Sequence, residues 1–382
     1  MTDDTPNPAL LPAGLIDALP PAAEREAALV EALMAVFAGH GYERVKPPLL
    51  EFEDSLLAGS GAAVAEQTFR LMDPVSQRMM GLRADTTPQI ARIAATRLGG
   101  QARPLRLSYA GQVLRVRGTE LSPERQVAQA GIEIIGGAAP QADAEVALVA
   151  VEALLAVGVS GLSLDITLPT MTPRLLEEAG LSGAAATRLA RALDRKDAAA
   201  VATLAEGAGP IAGMLPALLN AAGPAMAALA VLRDLALPPG ARAIADNAAT
   251  VVAAIRAAAP DLAITLDPAE YRGFRYHVGV AFTIYGSGRT GELARGGRYL
   301  SHHDEPATGM TLYPDAVRRA AQPSAHRPRL FLPLGHDVVA ARAFRAQGYA
   351  TVAALSAADS AIALRCTHEL RGSEAAALEE QA

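Results

Sequence analysis

The chain has no tryptophan and one cysteine, Cys366, in 382 residues. A single thiol excludes an internal disulfide and a multi-cysteine zinc site, and it fits a reducing cytoplasm. Aromatic residues make up only 4%, too few for the stacking platforms that hold single-stranded nucleic acid. Basic residues are outnumbered, 34 Lys and Arg against 40 Asp and Glu, so the net charge of −6 offers no broad basic face to a polynucleotide. Long apolar runs are missing as well: Pro, Gly, Asp or Arg interrupts the Ala-rich stretches before about 18 apolar residues accumulate, which argues against a membrane span. The opening MTDDTPNPALLPAG has neither the basic nor the apolar region of a signal peptide. These absences predict a soluble cytoplasmic protein without a nucleic-acid or membrane partner.

What is present is a globular composition, 51% hydrophobic and 19% charged, in a chain long enough for two or three domains. Helical spacing runs from near Pro21 to Ala38, with Leu29, Leu33, Val36 and Phe37 on one face. Tyr42 to Leu50 reads as an edge strand because of Pro47-Pro48. Residues 66–72 and 76–83 read as a strand pair around Asp73-Pro74. Thr86 or Thr87 caps a helix with Pro88 in its first turn, reaching Leu98. Leu105–Val116 and Gln126–Ile135 alternate as a hairpin. A helix over Asp143–Val157 and a strand over Leu162–Leu168 follow. From Pro169 to about Pro260 the chain is rich in Ala and Leu at helical spacing, an inserted helical subdomain. Strands return at Ile264, Tyr276–Tyr285 and Glu292–Leu300. The tail reads strand, helix, strand, strand: Leu330–Pro333, Asp337–Gln347, Ala350–Leu355 and Ala361–Arg365. The expected division is 1–168, 169–262, 263–322 and 328–382, an α+β fold with an antiparallel sheet flanked by helices.

Strand alternation places Gln129, Gly131 and Glu133 on one face, and Tyr109, Gly111, Val113, Arg115 and Arg117 on one face of the partner strand. The glycines are expected to leave room for a ligand against the sheet. Gln, Glu and a helix-initiating Asp85 suit an ammonium group, and Arg suits a carboxylate. The same pattern also describes an ordinary sheet with a solvated polar face. Other motifs carry less. Gly286-Ser287-Gly288-Arg289-Thr290-Gly291 spells a dinucleotide fingerprint, but a strand rather than a helix follows it, so it reads as a hairpin turn. His302-His303-Asp304-Glu305 lacks a third converging metal ligand. Arg191, Arg195 and Lys196, beside Asp194 and Asp197, read as a solvated helix face or a partner contact. No cofactor, metal or catalytic residue is expected.

Several segments together resemble a known family. Leu82-Arg83-Ala84-Asp85-Thr86-Thr87-Pro88-Gln89-Ile90 is similar to the Leu-Arg-Pro-Glu-Gly-Thr segment of histidyl-tRNA synthetases. It is more similar to the Leu-Arg-Pro-Asp-x-Thr-Pro-Gln-Ile form of their paralogues, the regulatory subunits of ATP phosphoribosyltransferase, with Ala84 in place of Pro. Arg103 to Gly137 resembles motif 2 of class II synthetases, ending in Gln129-x-Gly131-x-Glu133. Tyr271 to His277 resembles the histidine-specific Arg-Gly-Leu-Asp-Tyr-Tyr signature, and Gly296-Gly297-Arg298-Tyr299 follows as it does in the family. In order, these segments cover residues from about 10 to 320.

The resemblance implies a class II synthetase-like core with a histidine pocket. Asp85, Thr87, Gln129 and Glu133 would face the α-amino end and Arg115 the carboxylate. Tyr276 and His277 would lie by the imidazole, with His277 where the synthetases have Tyr. Arg272 would match an arginine that supports activation. It also implies lost chemistry. Arg117 stands where motif 2 has a carboxylate that meets the adenine, Ala316 stands where motif 3 has an ATP-binding arginine, and Tyr313 replaces a glycine. Arg318 and Arg319 lie two and three residues on from Ala316, so a small shift in the alignment restores a cation at that position. Losing such a phosphate contact costs orders of magnitude in rate. The expected role is therefore a non-catalytic regulatory subunit that joins a short catalytic phosphoribosyltransferase, supports the first step of histidine biosynthesis and transmits feedback inhibition by L-histidine. A self-dimer within a hetero-oligomer goes with it. An active histidyl-tRNA synthetase or another class II ligase is the principal alternative, and a Rossmann-type oxidoreductase a remote one.

Overall fold

The structure is a computed structural model that describes residues 10–118, 123–206, 208–270, 276–288, 291–322 and 327–378. The chain forms two compact units, 1–322 and 323–382.

The first unit opens with helix α1 (Ala22–Gly39), which buries Leu33, Met34 and Phe37. Strand β1 is only Glu43–Arg44. The expected strand over Tyr42–Leu50 breaks here for a physical reason: Pro47 and Pro48 have no N–H to give a ladder. Their carbonyls instead accept from Arg83 Nη1 at 3.2 Å and Gln89 Nε2 at 2.8 Å. The chain then enters a small sheet of β2 (Leu50–Phe52), β3 (Arg70–Met72) and β4 (Met79–Leu82), with α2 (Glu53–Leu56) after β2 and β4 in the centre. Helix α3 (Thr87–Thr96) follows, with Pro88 in its first turn.

The hairpin of β5 (Leu105–Leu114) and β6 (Gln126–Ile135) forms as expected, with Gly111 opposite Gln129 and Leu107 opposite Glu133. Helix α4 (Pro140–Ala156) and strand β7 (Ser163–Thr167) come next. The helical stretch contains α5 (Met171–Glu178), α6 (Gly183–Asp194), α7 (Ala198–Ala205), α8 (Leu215–Asn220), the two-residue β8 (Gly223–Pro224), α9 (Ala225–Asp234) and α10 (Pro239–Ala258). The basic cluster there is not simply solvated. Lys196 pairs with Asp267 at 2.5 Å, and Asp197 caps α7 by accepting from the Ala200 N–H.

Strands β9 (Ala263–Asp267), β10 (His277–Tyr285) and β11 (Glu292–Leu300) return as expected. Between β10 and β11, Gly288 and Gly291 adopt φ of 88° and 70°, and the two strands are antiparallel, so Gly286–Gly291 joins a hairpin and precedes no helix. Residues 289–290 lie outside the described residues. Strand β12 (Pro306–Leu312) had no expected counterpart, yet it lies between β6 and β11. Its sequence, PATGMTL, lacks the apolar–polar alternation of a half-buried strand because six of its seven residues are buried. Helix α11 (Pro314–Ala320) follows. Nine strands among the described residues make one sheet, in the order β1-β5-β6-β12-β11-β10-β7-β9-β8. Most pairs are antiparallel; β1–β5 and β7–β9 are parallel.

The pleat of β6 divides the interior. Ala130, Ile132 and Ile134 join the large core under α1 and α4. Ile135 points to the other face, with Leu107, Tyr109 and Ile90 of α3. Gln129, Gly131 and Glu133 share that second face, so the site lies between the sheet and α3.

The second unit holds β13 (Arg329–Leu332), α12 (Val338–Ala346), β14 (Ala350–Ala353), β15 (His368–Arg371) and β16 (Glu374–Ala377). The expected strand at Ala361–Arg365 is instead a turn, with Arg365 at φ 52°. Ala361 and Cys366 tuck against Phe331. The final pair forms beyond it as a hairpin about Gly372, at φ 61°. Among the described residues no helix is long and apolar enough to cross a membrane.

Candidate functional site

The N-terminus of α3 is tied to β6 through side chains. Thr86, at the N-cap, gives the Gln129 Oε1 both its backbone N–H, at 3.1 Å, and its hydroxyl, at 2.9 Å. Gln129 Nε2 donates in turn to Asp85 Oδ1 at 3.3 Å, which also accepts from the Thr87 N–H at 3.3 Å. Asp85 and Gln129 are therefore brought together, with Asp85 partly exposed.

Four residues along β6 from Gln129 and on the same face, Glu133 is enclosed at 1% exposure. Thr87 Oγ1 donates to one of its oxygens and Tyr299 OH to the other, both at 3.0 Å. Tyr109 OH lies 3.4 Å from Thr87 Oγ1 and 2.7 Å from Thr311 Oγ1. Burial pushes the Glu133 carboxyl up to about 8, the Thr87 and Tyr299 donors resist this, and Asp85 adds to it. The Tyr109, Tyr276 and Tyr299 phenols rise well above their ordinary value, chiefly through burial. Burial, with Arg295 adding its charge, pushes His277 down to about 3, so its imidazole is neutral. The His277 ring stacks on Tyr276 with centroids 4.2 Å apart.

These groups line one cavity: Thr87, Glu133, Tyr276, His277 and Tyr299 surround it, Arg295 and Thr311 join them, and Gly296, Gly297 and Gly309 contribute to its wall. The glycines are needed. A Cβ on Gly309 would collide with the Glu133 carboxylate, and one on Gly297 would lie 2.7 Å from His277 Cδ2. The cavity measures about 10 Å³, room for about one water. Larger hollows of about 610 and 480 Å³ lie among the helices between β7 and β9 and are mostly apolar. They lack the converging donors and acceptors of the small cavity.

The expected room over the sheet glycines is already taken. A Cβ on Gly131 would lie 2.5 Å from the Tyr109 hydroxyl, and one on Gly111 would strike the Arg83 guanidinium. Arg83 itself is a structural clamp, donating to the Gln112 carbonyl at 2.8 Å. Arg115 reaches the Ala84 carbonyl at 3.5 Å and does not line the cavity. Arg272 lies outside the described residues. Arg117 is exposed and Ala316 is buried in α11. Neither neighbouring arginine lines the cavity: Arg318 acts on Glu26 of α1, and Arg319 is exposed. Glu305 of the His-His-Asp-Glu run is held by Arg103 at 2.6 Å.

Three cavity-lining residues were not expected as site residues, Arg295, Tyr299 and Thr311, while Tyr109 was expected only to share the sheet face. Alternation along β11 sets Arg295, Gly297 and Tyr299 on one face, a signal present around the quoted Gly-Gly-Arg-Tyr. Arg298, on the opposite face, is structural. It pairs with buried Asp143 of α4 at 2.9 Å and donates to the Ala139 carbonyl at 3.0 Å.

The histidyl-tRNA synthetase family model matches residues 14–317. An ATP phosphoribosyltransferase regulatory subunit of Paramagnetospirillum magneticum is 54% identical over 371 residues, covering 96% of this chain and 97% of that one. A crystal structure from Bacillus halodurans, described as an ATP phosphoribosyltransferase regulatory subunit/histidyl-tRNA synthetase, superposes with a TM-score of 0.82 at 25% identity, covering 94% and 96% of the two chains. A chain of an ATP phosphoribosyl transferase complex from Thermotoga maritima shares the fold, with a TM-score of 0.60 at 16% identity over 76% of this chain and 97% of that one. With its class II synthetase-like core and this degree of identity, the chain belongs to the ATP phosphoribosyltransferase regulatory subunits, the non-catalytic relatives of histidyl-tRNA synthetase.

Proposed function

We propose that this cytoplasmic chain joins a short catalytic phosphoribosyltransferase subunit, supports the transfer that opens histidine biosynthesis, and reports L-histidine to its partner. In this reading Asp85, Gln129 and Thr87 take the α-ammonium and Arg115 serves the carboxylate. Glu133, which the resemblance put at the ammonium end, shares its cavity with Tyr276 and His277. We therefore assign it to an imidazole N–H of the ligand.

The observation that carries this reading is the narrowness of the cavity. Groups suited to an amino acid surround a space for about one water, so uptake of histidine requires the lining to move. A ligand that binds only the opened form shifts the equilibrium by its differential affinity, and a partner that senses the two forms is regulated by it. The exposed Arg117 and buried Ala316 offer nothing to an adenylate's adenine or phosphate.

Self-association is supported by apolar side chains at the turn end of the small sheet: Met72 lies opposite Met79, and Met72, Val75 and Met79 are 57%, 89% and 41% exposed. Such a group on one surface suits burial against a second copy.

The test mixes the chain with a short-form phosphoribosyltransferase. Co-elution, and a rise in phosphoribosyl transfer to ATP that histidine reverses, are expected. Failure to co-elute or to raise the rate overturns the reading, as does histidine-dependent ATP–pyrophosphate exchange by the chain alone.

A further inference from the structure

Arg295 was outside the expected site, yet it lines the Glu133 cavity. The sheet register shows how it gets there. Glu133 lies opposite Gly309 and Gly309 opposite Gly297, which makes one row across β6, β12 and β11. The next row on the same face is Gly131, Thr311 and Arg295. Ordinary strand spacing then puts the Glu133 and Arg295 Cα atoms about 12 Å apart. Gly131, Gly309 and Gly297 lie between them beneath Tyr109, Glu133 and His277, so a small ligand lies across that floor only once these side chains move.

The two rows also give the cavity a direction. His277 packs over Gly297, at the Glu133 row. Arg295 belongs to the following row, nearer to Tyr313 and the Asp85–Gln129 pair. Burial pushes the Tyr313 phenol up to about 12, Asp85 and Glu292 add to this, and Arg115 and Arg295 oppose it, so both guanidinium groups act in that region. Arg295 also pairs with Glu292 at 2.7 Å while keeping a third of its side chain exposed. A guanidinium has five N–H donors in a planar fork, enough to serve Glu292 and a second carboxylate. In a free amino acid the carboxylate is joined to the same carbon as the ammonium. With the ammonium at Asp85 and Gln129, the carboxylate falls on the Arg295 side.

We propose that Arg295 holds the α-carboxylate of the bound amino acid and makes the site select a free amino acid over its decarboxylated amine. This rests on the histidine-site reading above. A charged hydrogen-bonded pair of this kind is worth about 10- to 100-fold in affinity.

The test titrates histidine and histamine, which lacks only the carboxylate, into the full-length chain and its Arg295→Gln and Arg295→Lys variants by calorimetry. The wild type is expected to favour histidine by about 10- to 100-fold. Arg295→Gln is expected to lower histidine affinity toward that of histamine while leaving histamine affinity unchanged, and Arg295→Lys to fall between. An equal loss for both ligands in Arg295→Gln assigns Arg295 a merely structural role and overturns the proposal. An undiminished histidine preference in that variant, or no preference in the wild type, overturns it too. If the wild type takes up histamine and histidine alike, the site reading survives and only the carboxylate role falls. If it binds neither, both fall.

Discussion

The Thr87 hydroxyl donates to the Glu133 carboxylate at 3.0 Å across 46 residues of sequence, joining the first turn of α3 to the central strands. This contact closes the cavity on the α3 side, and Tyr299 closes it from β11.

The enclosed carboxyl gives stability a pH signature. Glu133 is pushed from an ordinary value of 4.5 to about 8 by burial. The folded state therefore keeps a proton that the unfolded state has released, so the contribution is full below about 4.5 and lost as pH rises through about 8. His277, pushed down to about 3, acts oppositely: its contribution is full above 6.5 and lost as pH falls toward 3. Comparing wild type with Glu133→Gln isolates the first effect, since both keep His277. The wild-type melting temperature is expected to fall relative to the variant from pH 5 to pH 9. A constant offset over that range contradicts the burial of a titrating carboxyl.

Gly309 tests how tightly the cavity is built. A Cβ there would meet the Glu133 carboxylate and lie 2.7 Å from the Ile132 carbonyl. Backbone cannot yield as a side-chain end can, so Gly309→Ala is expected to cost about 1–3 kcal/mol in urea unfolding. It should also weaken histidine binding. A variant with wild-type stability and affinity would show that the strands are more loosely spaced.

Arg298→Ala should be damaging although its side chain points to the face opposite the cavity. It leaves Asp143, which is 1% exposed, without its cation. Removing one member of a buried pair costs about 3–5 kcal/mol. Chemical denaturation checks this. A loss below about 1 kcal/mol would show that the pair behaves like a surface one.

For self-association, Val75→Asp combined with Met72→Asp places charge on the exposed apolar group of the small sheet. Sedimentation is expected to show a shift toward monomer, with thermal stability of the fold little changed. An unaltered oligomer places the contact elsewhere.

Much of the site was legible because two simple signals coincided there. Alternation along Gln126–Ile135 set Gln129 and Glu133 on one face, and Pro88 marked the start of the helix that meets them. What sequence could not supply was occupancy. The spaces over Gly111 and Gly131 look like ligand room in one dimension, but Arg83 and Tyr109, reached through long-range packing, fill them. β12 escaped notice because a strand buried on both faces loses its alternation, and with it went the register that places Thr311 opposite Arg295. Ala361–Arg365 has strand-like composition, but its end tucks against Phe331 and turns back.

The central claim, that an amino-acid pocket around Glu133 regulates a catalytic partner, is tested most directly by histidine dose–response in the reconstituted phosphoribosyltransferase complex, with wild type and Glu133→Ala compared. The account predicts that wild-type complexes are inhibited and that Glu133→Ala raises the half-inhibitory histidine concentration by about 10-fold or more, because the buried imidazole N–H is left without an acceptor. The same inhibition curve for both, with the variant folded and assembled, would contradict it.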